Sequence, residues 1–214
     1  MRFIVRGYVD RARAPDNPHG PTTILHAGIG IPEGLLRRLA VIVEETGRGV
    51  RSIKKGQFVI GSFFASDNTC PHCLAGMTSV CDHQGWTESG QAELVRVNQA
   101  DGSLVATDGM PDDAMLPSLL TLSDVMATGW HAAVSSRVQP GGTAVVIGDG
   151  AVGLCGVIAA KELGAERIVA MSRHEPRQAL AREFGATHIV AERGKEGAAR
   201  VEEIAPLGHG LTRA

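Results

Sequence analysis

The feature that most constrains this chain is a glycine pattern in a fixed setting: Gly148-Asp149-Gly150-Ala151-Val152-Gly153. It follows directly on the β-branched apolar run Thr143 to Ile147. It opens Ala151 to Leu163, which reads as an apolar helix stopped by Gly164, a good left-handed cap. Strand, GxGxxG and helix in that order give the pattern its meaning. Gly148 permits the tight turn, Gly150 leaves room for a diphosphate against the backbone, and Gly153 lets helix and strand pack closely. The helix start offers amide N–H groups and the positive end of its dipole to an anion. A dinucleotide is the expected ligand. The alternative is a tight strand-to-helix turn that holds nothing.

The text after the turn repeats the alternation. Arg167 to Met171 reads as a second strand, Glu175 to Phe184 as a helix ending at Gly185, and Thr187 to Val190 as a third strand. That order implies a parallel sheet with α/β architecture. The residue that discriminates between dinucleotides is expected about 20 residues after the glycines, at the end of the second strand. An Asp or Glu there accepts hydrogen bonds from a ribose 2′-hydroxyl. This chain has Met171-Ser172-Arg173-His174 instead. Ser172 brings no charge to repel a 2′-phosphate, Arg173 is suited to clamp one, and Arg177 lies one helical turn further on. NADP is therefore expected over NAD, the alternative being that Arg173 is only a solvated side chain.

Before the turn the pattern differs. Val41 to Val43, Gln57 to Ile60 and Ala92 to Val97 read as short strands separated by glycine-rich turns, a β-rich region. From Leu119 the period shifts, with Leu119, Leu122, Val125 and Met126 on one helical face. Residues 1–40 are broken by prolines and glycines and yield only a possible strand at Phe3 to Val5, with Ile24-Leu25 as an apolar island.

Three of the four cysteines crowd into Cys70-Pro71-His72-Cys73 and Cys81, a C-x2-C-x7-C spacing. Clustered thiols in a chain without a secretory signal point to metal ligation more than to disulfides. A structural zinc takes four ligands in a tetrahedron. Asp67, three residues before Cys70, can supply the fourth; His72 is the other candidate. Three free thiols that bind nothing are the alternative. Cys155 falls in the apolar helix and reads as a small core residue.

Bulk properties exclude other classes. The net charge of −2 lacks the basic excess that a nucleic-acid partner demands. No apolar run approaches the roughly 20 residues of a membrane helix, and no secretory signal is visible. A cytoplasmic location is expected.

From Val41 to about Glu203 the chain resembles the zinc-dependent alcohol dehydrogenases of the medium-chain dehydrogenase superfamily. The resemblance rests on Val43-Glu44-Glu45 before Gly47, Lys55-Gly56 with Val59, the thiol lobe, Gly90-Gln91-Ala92-Glu93, Leu122-Ser123-Asp124 with Thr128-Gly129, the glycine turn, and Phe184-Gly185-Ala186. It implies a partial GroES-like β domain over 41–120, with a structural zinc lobe at 67–81, and an incomplete Rossmann domain, a doubly wound parallel sheet, over 121–214. It implies zinc on Asp67, Cys70, Cys73 and Cys81, and a catalytic zinc ligand at Asp124. It places Thr128 against a nicotinamide ring, and Ser172 and Arg177 at the adenosine ribose. The implied activity is hydride transfer between a small-molecule alcohol or aldehyde and NAD(P), by a homo-oligomer.

The chain departs from that pattern in two places. The segment before Val41 contains no cysteine, and the place of the second catalytic ligand, a histidine, is held by Arg37-Arg38. Of the three expected ligands of a catalytic zinc only Asp124 is visible, and His19 and His26 are weak substitutes. No residue is therefore assigned a catalytic role. A non-catalytic remnant that binds nucleotide and one structural zinc is favoured over an active enzyme. Residues after Glu203 show no fourth Rossmann strand, so Thr143 to Ile147 is expected to form an exposed sheet edge. Both ends read as the product of a truncated or frameshifted gene.

Overall fold

The computed structural model describes residues 22–26, 39–87, 94–205 and 211–212. The possible strand at Phe3 to Val5, His19 and Arg37-Arg38 lie outside them. The chain divides into two compact units, Met1–Asp124 and Val125–Ala214.

The first unit is built on β1 (Thr22–His26), β2 (Leu39–Thr46) and β3 (Phe58–Gly61), followed by a short β4 (Phe64–Ala65) and the helical turn α1 (Pro71–Leu74). After a 3-10 turn at Thr78–Val80 come β5 (Gly85–Trp86), β6 (Leu94–Asn98), α2 (Ala100–Ser103) and β7 (Leu104–Ala106). A second 3-10 turn, Asp113–Met115, leads into α3 (Leu116–Thr121). Five strands form an antiparallel sheet in the order β6-β1-β2-β3-β7, while β4 and β5 pair apart. Successive side chains of a strand point to opposite faces, which explains the packing. Val41 and Val43 turn to one face, where they meet Val59, Val95, Val97 and Leu104. Ala40 and Ile42 turn to the other, against Phe58, Ile60 and Leu120. Where residues 1–40 offer no firm element to a sequence reading, Thr22–His26 form β1, inside the sheet between β2 and β6, with a register shift between Ile24 and Leu25.

Asp101 fastens the turn after β2. Its carboxylate accepts from the Arg51 and Ser52 amides and from the Ser52 hydroxyl. Partial burial pushes this carboxyl up, but the Ser52 hydroxyl and the two amides outweigh it and hold it below the usual range.

The second unit runs α4 (Val125–Ser135), β8 (Thr143–Ile147), α5 (Ala151–Glu162), β9 (Arg167–Met171), α6 (Glu175–Phe184), β10 (His188–Val190), α7 (Gly194–Ile204) and β11 (Leu211–Thr212). The strands are all parallel, in the order β10-β9-β8-β11. This is the 3-2-1-4 part of a Rossmann sheet. The expectation that no fourth strand follows Glu203 is thereby corrected. Leu211 and Thr212 pair with Thr143 and Ala144, so β8 lies inside the sheet there. The strand escapes a sequence reading because two residues carry no periodicity. Buried Ala144, Val157, Ala160, Ile168, Ala170 and Ala181 fill the space between sheet and helices.

Two further differences have local causes. The helical face read across Leu119 to Met126 is interrupted, because α3 ends at Thr121 and α4 begins at Val125, leaving Leu122 exposed. Helix α7 was not anticipated; charged and small residues dominate it, and Val201 and Ile204 pack beside Val169, Met171 and Val190. Helices α4 and α5 approach closely at Gly129. A Cβ there would fall 2.7 Å from the Gly156 amide nitrogen and 2.9 Å from the Cys155 Cβ. Cys155 is buried, as a small core residue should be.

Candidate functional site: a dinucleotide turn and a thiol lobe

The glycine turn links β8 to α5. Gly148 has φ +117°, a conformation that disfavours any side chain. A Cβ on Gly153 would run into the Gly148 carbonyl, so this glycine is needed for helix and strand to pack. Gly150 is different. Its φ of −79° and ψ of −179° suit any residue, and a Cβ there would meet nothing within 4 Å. The fold demands glycine at 148 and 153, whereas at 150 it leaves open space. That space lies at the N-cap of α5, which has no side-chain capping hydrogen bond. Leu154 makes the first bond of the helix ladder, its amide donating to the Gly150 carbonyl at 2.9 Å. The amides of Ala151, Val152 and Gly153 precede that bond and belong to the first turn, whose N–H groups have no partner within the helix. The arrangement fits a diphosphate.

Asp149 has a place the sequence reading did not foresee. Its carboxylate reaches across to the end of β9. The Ser172 hydroxyl donates to Oδ2 at 2.9 Å and the Arg177 guanidinium to Oδ1 at 3.2 Å. Gln178 Nε2 donates to the Ser172 carbonyl at 2.8 Å and fixes the strand end. The Ser172 hydroxyl, and after it Arg177, hold the Asp149 carboxyl below its ordinary value. Ser172 is fully buried, while Arg173 is exposed. Thr128 lies exposed on α4.

The thiol lobe brings Asp67, Cys70, Cys73 and Cys81 together, with one ligand atom of each within 4.8 Å of the others. The three thiols are buried. His72 does not join this group; its Nδ1 lies 2.8 Å from Asp82 Oδ1, and with Cys70 the pair makes a second, more exposed cluster. Backbone amides point at the sulfurs. Cys73 and Asp82 donate to Cys70 Sγ at 3.5 Å, and Asp67 and His83 donate to Cys81 Sγ at 3.4 Å. Such donors offset the negative charge of thiolates gathered round a cation, so the site fits zinc. Burial, with the neighbouring Cys70 and Cys81 thiols, pushes Cys73 up to about 12, a cost that a bound cation would remove.

Asp67 is held in place by its neighbours. Oδ1 accepts from the Thr69 and Cys70 amides, and Oδ2 lies 2.6 Å from His83 Nδ1. The two amides, and after them His83, keep its carboxyl far below the ordinary value, so it is ionised. His83 was missed in the sequence. The available signal was the exchange of a thiolate for a carboxylate at position 67, since a ligating carboxylate is usually oriented by a hydrogen-bond partner. Asp124, in the turn between α3 and α4, belongs to neither cluster among the described residues.

Comparison with known proteins gives this geometry its kinship. Residues 23–108 match the alcohol dehydrogenase GroES-like domain, and residues 151–211 match the zinc-binding dehydrogenase domain. The chain belongs to the zinc-type medium-chain alcohol dehydrogenase family. Within that family it is 33% identical over 194 residues to a glutathione-independent formaldehyde dehydrogenase of Bacillus subtilis, covering 81% of this chain and 47% of the relative. It is 32% identical over 187 residues to an L-threonine 3-dehydrogenase of Bacillus velezensis, covering 86% and 52%. Among solved structures it is similar to the alcohol dehydrogenase TADH of Thermus sp. ATN1, with a TM-score of 0.72 and 25% identity over 96% of this chain and 67% of that one. The zinc-dependent alcohol dehydrogenase 2 of Streptococcus pneumonia gives a TM-score of 0.74 and 25% identity, covering 95% and 64%. The chain thus spans about half the length of the curated relatives it matches. The family match begins at residue 23, and so takes in β1, ahead of the resemblance read from Val41.

Proposed function

We propose that this chain is an oxidoreductase-type, dinucleotide-binding protein that holds one structural zinc and is deficient in catalysis. Residues 148–153 cradle the diphosphate of NADP or NAD. Ser172, Arg173 and Arg177 receive the adenosine ribose, and Thr128 lies against the nicotinamide ring. Zinc sits on Asp67, Cys70, Cys73 and Cys81. The observation that carries the reading is the open space over Gly150, kept free where the fold itself does not require a glycine.

In such a family a bound zinc would supply Lewis-acid polarisation of an alcohol or aldehyde oxygen, and a bound dinucleotide would supply the hydride acceptor or donor. This chain offers Asp124 as a carboxylate for that metal. The segment before Val41 supplies no cysteine, and the expected histidine position carries Arg37-Arg38, whose positive charge opposes a cation. A catalytic zinc needs three protein ligands. The chain therefore binds without turning over, and its substrate class, a small alcohol or aldehyde, is that of the family reaction.

The four free cysteines suit the reducing cytoplasm. Among the described residues no helix is long and apolar enough to cross a membrane.

The test combines three measurements on the purified chain. Titration with NADPH and NADH, followed by nicotinamide fluorescence, should show saturable binding. Metal analysis should return about one zinc per chain for a structural site alone and about two if a catalytic zinc is also held. Alcohol-dependent reduction of NADP or NAD above background would overturn the deficiency, and failure to bind either dinucleotide would overturn the whole reading.

A further inference from the structure

The end of β9 lacks the acidic residue that ordinarily reads the ribose, yet a carboxylate bonds the Ser172 hydroxyl there. It arrives from the other side, on the glycine turn. Asp149 is 11% exposed and spans the gap between β8 and β9 to take up both the Ser172 hydroxyl and the Arg177 guanidinium. Arg177 is one of the groups that the sequence offers to a 2′-phosphate, and Ser172 was read as leaving no charge to repel one. We propose that Asp149 is the specificity-determining residue of the cofactor site, setting the preference between dinucleotides by occupying the groups a 2′-phosphate would need.

The chemistry follows from what each dinucleotide presents. The adenosine ribose lies between the glycine turn and the end of the second strand. A ribose with a free 2′-hydroxyl is a hydrogen-bond donor, and an ionised carboxylate is an acceptor. Asp149 can accept that hydroxyl without releasing Arg177. A 2′-phosphate brings close to two negative charges and no need for an acceptor. It must detach Arg177 from Asp149, displace the carboxylate from Ser172, and still remain beside the carboxylate's charge. Arg173, one residue beyond Ser172 and exposed, compensates only in part. The site is arranged for the 2′-hydroxyl, which reverses the preference read from Ser172 and Arg173 in the sequence.

Its surroundings hold Asp149 in this role. Two side-chain donors fix its carboxylate, and Ser172, fully buried, is held through the Gln178 hydrogen bond. The carboxylate is ionised throughout the neutral range, being held down by its two partners.

This inference rests on the dinucleotide reading, and the experiment separates the two. NADH and NADPH are titrated into the wild-type chain, Asp149→Asn, and the double variant Asp149→Asn with Arg177→Gln, with dissociation constants read by fluorescence or calorimetry. Asp149→Asn keeps the size of the side chain, removes its charge and exchanges one acceptor oxygen for an NH2 donor. It should raise the ratio of NADPH to NADH affinity by about tenfold or more, mostly through tighter NADPH binding. Adding Arg177→Gln to Asp149→Asn should lower that ratio again, because the guanidinium released to the phosphate is then gone. NADH binding within each variant reports that the site is still folded. A ratio in Asp149→Asn within about twofold of wild type, with NADH still bound, overturns the role of Asp149. Loss of binding for both dinucleotides in the wild-type chain overturns the parent reading instead.

Discussion

In the thiol lobe, residues 67–81, regular backbone structure amounts to a helix of 4 residues and a 3-10 turn of 3 residues. Around the glycine turn, a strand of 5 residues runs into a helix of 12. The lobe makes its cohesion from side chains: three buried sulfurs and a carboxylate face one another, with amides directed at them. The turn makes its shape from the main chain alone, through the Gly148 conformation and the Gly153 contact. Like groups crowded together without an ion oppose burial, whereas a strand-to-helix turn stands without its ligand. The lobe should therefore depend on its cation for stability, and the turn should depend on its ligand only for function.

Stripping the metal tests that contrast most severely. At zinc a thousandfold above its dissociation constant, ligand linkage contributes about 4 kcal/mol. Chelation should accordingly lower the thermal unfolding midpoint by several degrees, and readdition of zinc should restore it. A midpoint indifferent to chelator would erase the distinction between the two regions.

Next in size is a pair of substitutions within the turn. Gly153→Ala forces a methyl into the Gly148 carbonyl and should cost about 1–3 kcal/mol in denaturant unfolding, the range for overpacking. Gly150→Ala has room and an unstrained backbone, so unfolding should shift by no more than the few tenths to about 1 kcal/mol of a poorer N-cap, while NADH affinity falls on the order of tenfold, about 1.4 kcal/mol. Equal destabilisation by both would mean that the space over Gly150 is not kept for a ligand.

The third test concerns His83. Its Nδ1 contact orients Asp67, and loss of such a support typically weakens metal binding by about 10–100-fold. His83→Ala should show that loss in a competition titration against a chromophoric chelator, with about one zinc per chain still bound at saturation. Unaltered affinity would reduce His83 to a surface neighbour of the lobe.

What could be read in the sequence follows the same division. Strand, turn and helix around Gly148 were legible because each carries its own local signal. The bounds of α6 follow from Pro176 in its first turn and Gly185 at its end. The convergence of the lobe residues was legible for the same reason, since Asp67, Cys70 and Cys73 are close in sequence. The bond from Asp149 to Ser172 spans 23 residues and that to Arg177 spans 28, and no local pattern announces either. Strand β1 was hidden among prolines and glycines, and its place depends on edges offered by β2 and β6, a tertiary fact. The ribose preference is the instructive case. Ser172, Arg173 and Arg177 stand out in the sequence, but the charge that meets two of them belongs to another strand's turn.

The near-contact of Gly129 with α5 also has a mechanical consequence. Thr128 and Gly129 are neighbours on α4, and α5 begins at the glycine turn. With no side chain to act as a spacer, the two helix axes are clamped together like the jaws of a caliper. The distance between the start of α5 and Thr128 is then a property of the clamp rather than of either helix. A methyl wedge at 129 would reset that gauge from the middle of a helix.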